Sequence, residues 1–188
     1  MQYKGSTVWF TGLPCSGKTT VAEKALEILR AQGRPVEMLD GDELRKHFSA
    51  GVGFTKEDRA NHLKRVAYLC HLLTKHGVLV LATFVSPYRE NRDYARQLIG
   101  NEHFMEVYAD APLEECIKRD VKGMYKKALA GEIKQFTGVD DPYEAPLKAE
   151  LTLHTATEKL DESVERLFAD LRTKGLIPAA GSKAACCG

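Results

Sequence analysis

The residues whose types and spacing best suit chemistry are Gly12-Leu13-Pro14-Cys15-Ser16-Gly17-Lys18-Thr19. They satisfy G-x-x-x-x-G-K-[ST] at each fixed position. A nucleotide's phosphates carry concentrated negative charge that must be held out of bulk water. Glycines at 12 and 17 let the backbone curl until successive N–H groups point inward. A following helix would add the positive end of its dipole. Lys18 supplies a mobile cation, and the Thr19 hydroxyl can ligate magnesium. A second group is Asp40-Gly41-Asp42 with Arg45. Phosphoryl transfer to an alcohol needs one carboxylate near magnesium and a base near the hydroxyl. The apolar run 78–82 ends without an acid, so the carboxylate job falls by elimination on Asp40 or Asp42. The plainer alternative is an acidic turn that opens a helix.

These groups need elements to position them. Thr7 to Thr11 is β-branched and aromatic and reads as a strand. Thr20 to Gln32 places Val21, Ala22, Ala25 and Leu29 on one helical face, with Gly33 as the stop. Val36–Asp40, Val78–Thr83, Phe104–Ala109 and a short Leu151–Leu153 read as further strands. Lys56–His76 reads as a helix with a capping-box start at Thr55 and Asp58. Pro112 opens another helix, and Lys159–Lys174 is the last. Alternation of this kind predicts an α/β fold, a parallel sheet covered by helices on both faces. Ligands in such sheets sit beyond the carboxyl ends of the strands, where both acidic residues and the glycine loop fall. Residues 1–178 are expected to form one domain and 179–188 a disordered tail. The stretch 122–146 is polar, holds three glycines and shows no apolar period, which suggests a mobile lid.

Bulk properties exclude several classes. The net charge of +1 gives no general attraction to nucleic acid or membrane. No apolar run is long enough to span a bilayer. Met1 to Gly5 lead straight into a strand, which leaves no room for a signal peptide and makes the cytoplasm the expected location. Among the five cysteines no C-x-x-C pair occurs, and the six histidines lack metal-ligand spacing. No N-K-x-D stretch for reading guanine is present, which argues against a GTPase switch.

Arg45 and Arg59 could reach an anionic substrate, arginine being suited to bidentate contacts with phosphate or sulfate. Arg65 reads as surface charge. Phe54 and Phe136 are loop aromatics that could clamp a flat base; each alone is more often a packing plug.

Several further blocks closely resemble the adenylyl-sulfate kinase family. They are Leu39–Asp42 with Arg45, Gly53-Phe54 with Glu57-Asp58-Arg59, and Phe84-Val85-Ser86-Pro87-Tyr88-Arg89. Arg119–Tyr125, Ala130–Lys134, Phe136–Gly138 and Asp141–Glu144 complete the set. The likeness runs from about Thr7 to Pro178 and implies a P-loop kinase fold. It further implies transfer of the γ-phosphate of MgATP to the 3′-hydroxyl of adenosine 5′-phosphosulfate, in sulfate activation. Asp42 matches the acid that takes the hydroxyl proton, and Lys18 stabilises the moving charge. The ATP set is then Gly12, Leu13, Pro14, Cys15, Ser16, Gly17, Lys18, Thr19, Thr20 and Arg119. Arg45 and Arg59 match residues that hold the phosphosulfate, and Phe54 with Phe136 the pair that sandwiches its adenine. His62, Phe84, Val85, Ser86, Pro87, Lys122 and Lys134 complete the substrate set. Ser86 also matches a family phosphoserine, although in-line transfer needs no covalent intermediate. Thr19 and Asp40 are the candidate magnesium ligands. The family is usually dimeric, and an ATP sulfurylase is an expected functional partner. Two departures stand out: His62 where the family often has Asn, and Leu129 where Arg is common. A histidine at 62 could donate to a substrate oxygen with a charge that varies with pH. A kinase for another nucleotide, or a nucleotide-driven switch, is the competing reading.

Overall fold

The computed structural model describes residues 4–179. Its strands are β1 (Ser6–Thr11), β2 (Val36–Asp40), β3 (Leu79–Thr83), β4 (Phe104–Ala109) and β5 (Leu151–Leu153). All pair in parallel, in the order β2-β3-β1-β4-β5. The helices are α1 (Lys18–Ala31), α2 (Gly41–His47), α3 (Lys56–Lys75), α4 (Arg89–Ile99), α5 (Leu113–Arg119), α6 (Met124–Leu129) and α7 (Leu160–Thr173).

The continuous apolar runs of β1 and β3 follow from covering the sheet on both sides. Every residue of both strands is buried. Alternate side chains then feed two different cores. Val8, Phe10, Leu79, Leu81, Met105 and Val107 pack with Val21, Ala25 and Leu29 of α1 and Val164, Leu167 and Leu171 of α7. Trp9, Val80, Ala82 and Phe104 face the other way, onto Leu63, Val66, Ala67 and Cys70 of α3 and Ala95 and Ile99 of α4. β2 and β5 are the edges. The five strands begin and end within one residue of expectation, and α3 begins with the expected capping box.

Two helices lie where no apolar period announces them. In α4 the buried face includes Asn91 and Arg92 beside Ala95 and Ile99. Arg92 pairs with Glu106 of β4 at 2.7 Å, so this face is polar by construction and hydropathy does not reveal it. α6 falls inside the stretch 122–146, which is therefore not without regular structure. Its six residues bury only Tyr125 and Ala128, too few to show a period. Tyr125 belongs to a small third core with Ala111 and Cys116, against which Leu13, Cys15 and Phe136 lie. The stretch is thus packed on the glycine loop. The acidic turn does open a helix: Asp40 caps α2, its Oδ1 accepting from the backbone N–H groups of Asp42 and Glu43. Of the expected tail, 180–188 lie outside the described residues.

Candidate active site

The carboxyl ends of β1, β2 and β3 deliver the three predicted groups to one place. After β1 the chain enters the glycine loop. Gly12 has φ +147°, and a Cβ there would stand 2.6 Å from the Ala109 carbonyl oxygen, so no other residue fits without backbone movement. Gly17, at φ +89°, turns the chain into α1. Lys18 heads that helix yet is only 7% exposed. Its ammonium folds back to donate to the carbonyls of Gly12 (2.9 Å) and Leu13 (2.6 Å). Burial lowers its pKa from 10.5 to about 8, against the opposing pull of Asp40 and Asp42 among nearby groups.

The two acids after β2 are separated by geometry. Asp40 Oδ2 accepts from the hydroxyls of Thr19 (3.4 Å) and Thr83 (3.1 Å), so it stands beside the glycine loop. Asp42 is exposed at the start of α2 and pairs with Lys122 from the long stretch before β5. That bond raises the Lys122 pKa.

After β3 comes Phe84-Val85-Ser86-Pro87. Ser86 is 2% exposed and holds φ +39°, a strained value for a residue with a Cβ. Its surroundings enforce it. Trp9 Nε1 donates to Ser86 Oγ at 3.1 Å, and Arg92 Nη1 donates to the Ser86 carbonyl at 2.6 Å. Thr11 Oγ1 donates to the Val85 carbonyl at 2.8 Å. Arg92 also ties this loop to the Glu144 carbonyl at 2.7 Å. Positive φ recurs at Cys15 and Gln135, so all three strained non-glycine residues described border the same space.

That space is a cavity of about 1400 Å³. Every predicted site residue lines it except Gly12 and Leu13, whose carbonyls hold Lys18. Arg45 donates to the carbonyls of Val52 and Gly53, and Arg59 to those of Phe54 and Gln135. Arg119 donates to those of Cys15 and Thr155. These cations are parked on backbone oxygens that phosphate or sulfate oxygens could replace. In a chain of net charge +1 these cations share one cleft with carboxylates that include Asp40 and Asp42. Lys134 is exposed at the cavity's margin, and Arg65 is exposed on α3, as expected of surface charge.

Phe54 is 52% exposed, with the Arg45 guanidinium 4.4 Å and the Arg59 guanidinium 5.5 Å from its ring centre. Phe136 stands edge-on to Tyr125 with centroids 4.9 Å apart. An apolar ring left half in water beside two arginines suits a planar ligand that would cover it. Phe136→Ala is expected to weaken binding of the acceptor nucleotide by about 1–3 kcal/mol, or roughly 5- to 150-fold in KM. Unchanged KM would make the ring a packing plug on Tyr125.

His62 departs from expectation in its charge. It is 2% exposed, and burial, aided by Arg45 and Arg65, lowers its pKa to about 4. It stays neutral across the physiological range instead of varying with pH.

One wall was not anticipated. The loop after β5 brings Thr155 and Glu158 to the cavity and the first turn of α7 brings Leu160 and Ser163, and Thr155 Oγ1 donates to the Ser16 carbonyl at 2.6 Å. The signal lay in the same strand-end rule, since Leu151–Leu153 was legible as a strand. The partners are 139 residues apart, so no local pattern links them.

The model of the adenylylsulphate kinase family matches residues 4–154. The chain belongs to the adenylyl-sulfate kinase family. The adenylyl-sulfate kinase of Picosynechococcus sp. is 50% identical over 177 residues, 94% of this chain and 99% of that one. That of Halothermothrix orenii is 49% identical over 174 residues, 93% of each chain. The Mycobacterium tuberculosis APS kinase CysC, solved in complex with AMPPNP and APS, superposes with a TM-score of 0.87 at 41% identity. It covers 90% of this chain and 99% of that one. As a member of this family the chain is a kinase of the P-loop fold, and adenylyl sulfate is its acceptor.

Proposed function

We propose that this kinase carries the γ-phosphate of ATP directly to the 3′-hydroxyl of adenosine 5′-phosphosulfate, with both nucleotides seated in the one cavity. The observation that carries this is the convergence of a phosphate loop, the exposed Asp42 carboxylate and an arginine–aromatic cluster on a single space. Gly12 to Thr20 hold the ATP phosphates, and Arg119 with the loop after β5 borders the ATP side. Lys18 leaves its two carbonyls to follow the transferred group. Asp42 accepts the hydroxyl proton once the acceptor displaces Lys122, which then turns to a substrate oxygen. Arg45, Arg59 and Lys134 face the phosphosulfate charge. Phe54 and Phe136 hold the acceptor's adenine against Phe84, Val85 and Pro87.

Thr19 and Asp40 fit magnesium: they offer hard oxygens side by side, and that ion usually takes one or two protein oxygens beside phosphate and water. When bound, it would neutralise charge on the transferring phosphates. No cluster of three or more His, Cys, Asp or Glu side chains suited to a metal occurs among the described residues, which accords with so sparse a protein contribution.

Ser86 is a positioning residue in this reading, and its one claim to a catalytic role is the match to the family phosphoserine. Its hydroxyl accepts from Trp9 and donates to the Phe84 carbonyl at 3.4 Å, away from solvent. Ser86→Ala is expected to keep turnover within about tenfold of the parent, the loss of one neutral hydrogen bond. Loss of all turnover, with a phosphoserine recovered from the parent enzyme, would make the intermediate obligatory.

The reading also carries a homodimer in the cytoplasm, with an ATP sulfurylase making the acceptor and neither nucleic acid nor membrane as partner. No helix among the described residues is long and apolar enough to cross a membrane. Sedimentation of the purified chain measures the dimer. Incubation with γ-labelled ATP, magnesium and adenosine 5′-phosphosulfate or AMP tests the reaction. Label is expected in 3′-phosphoadenosine 5′-phosphosulfate; equal labelling of AMP would favour a general nucleotide kinase.

A further inference from the structure

Ser49 lies outside every motif, in the loop between α2 and α3, yet it is 3% exposed. Its Oγ stands 2.8 Å from Nδ1 of His62. Among the described residues the hydroxyl has no other partner. At the far side of the ring Nε2 is shielded from solvent and unpaired, while His62 lines the cavity beside Phe84, whose ring centre is 5.9 Å away.

Two proton arrangements are open to this pair. If Nδ1–H donates to Ser49 Oγ, the serine proton is buried without an acceptor and Nε2 is an unpaired acceptor as well. If Ser49 donates to Nδ1, only the Nε2–H remains unpaired. Buried donors without acceptors are costly, so the second arrangement, with one orphan instead of two, is preferred. We propose that Ser49 is a positioning residue that fixes the proton of His62 on Nε2, where it serves as a hydrogen-bond donor to an oxygen of the acceptor nucleotide once the bound acceptor shifts the groups that cover Nε2 in the ligand-free chain. The ring is neutral near pH 7, because burial holds its pKa near 4. It thus presents one directed donor, as an amide would, without adding charge to a cleft already rich in arginine. The assignment to the acceptor rests on the reading of the cavity given above.

The test has two independent arms. Nitrogen-15 spectra of the ligand-free, histidine-labelled chain, with His62 identified by its absence in His62→Asn, are expected to show Nε2 protonated and Nδ1 bare from about pH 6 to 8. An Nδ1–H tautomer or an imidazolium in that range would overturn the proposal. In kinetics, Ser49→Ala is expected to raise KM for adenosine 5′-phosphosulfate about fivefold, with kcat and the KM for ATP within about twofold. In the His62→Asn background the same change is expected to do nothing further. An equal loss in both backgrounds would show that Ser49 merely packs the loop and would overturn the proposal. If the parent enzyme fails to phosphorylate this acceptor, the substrate assignment falls, while the spectra still decide the Ser49–His62 arrangement.

Discussion

Lys18→Ala is expected to lower kcat by about 10²–10³ or more while leaving the chain folded. The basis is the position of the ammonium. It is buried in the curl of the glycine loop, where it donates to the Gly12 and Leu13 carbonyls and, at 3.4 Å, to the Ser16 hydroxyl. A charge held in a site of low dielectric acts on the transferring phosphoryl group far more strongly than one in water, and removing one such stabiliser typically costs this much. The same burial gives the prediction a pH signature. The catalytically useful form is the cation, and in the free enzyme it is lost as pH rises through about 8. kcat/KM for ATP is therefore expected to lose its Lys18 contribution above about pH 8 and to keep it below, since that ratio reports ionisations of the free enzyme. Bound phosphate favours the cation, so kcat at saturating ATP should hold to higher pH. Initial-rate profiles from pH 6 to 10 measure both. A Lys18→Ala enzyme within tenfold of the parent would remove the lysine from the chemical step.

Asp42→Asn is expected to reduce kcat by about 10²–10⁴, the usual range for losing a general base. The KM for ATP should change little, because Asp42 stands on α2 and the phosphate loop is held from β1 and α1. The fold should be indifferent. Both partners of the Asp42–Lys122 pair are about two-thirds exposed, and exposed pairs contribute little to stability. Thermal melting separates a catalytic loss from a folding one, and a normal rate would move the base elsewhere. Asp40→Asn makes the informative contrast. Asp40 caps α2 and stands against the Thr19 hydroxyl, so its loss should be felt on the ATP side and in stability together.

The contrast between those two aspartates shows how far the sequence carries. Both were visible at the end of a strand, and the strand-end rule marked both as functional. That rule did not divide the work between them; only the family resemblance did, and their different surroundings were not visible. Those surroundings are made by Thr19, Thr83 and Lys122, which approach Asp40 and Asp42 from 21, 43 and 80 residues away. His62 shows the same limit. Its place on the helix could be read from the motif around Glu57, Asp58 and Arg59. Its neutrality could not, because that comes from burial beneath a neighbouring loop.

What the amino-acid order by itself determined is the local physics. Glycines at 12 and 17 permit the phosphate curl, buried strands appear as apolar runs, and Thr55 with Asp58 starts a helix. Each depends on residues within a turn or a strand of one another. Only the tertiary structure decided the rest. A polar face on α4 became a buried anchor because Glu106 stands on the sheet face beneath it. The loop after β5 became a cavity wall, and a stretch without periodicity became a packed cover over the glycine loop. Those outcomes come from desolvation and from hydrogen bonds between distant segments, and such terms exist only once the chain has closed on itself.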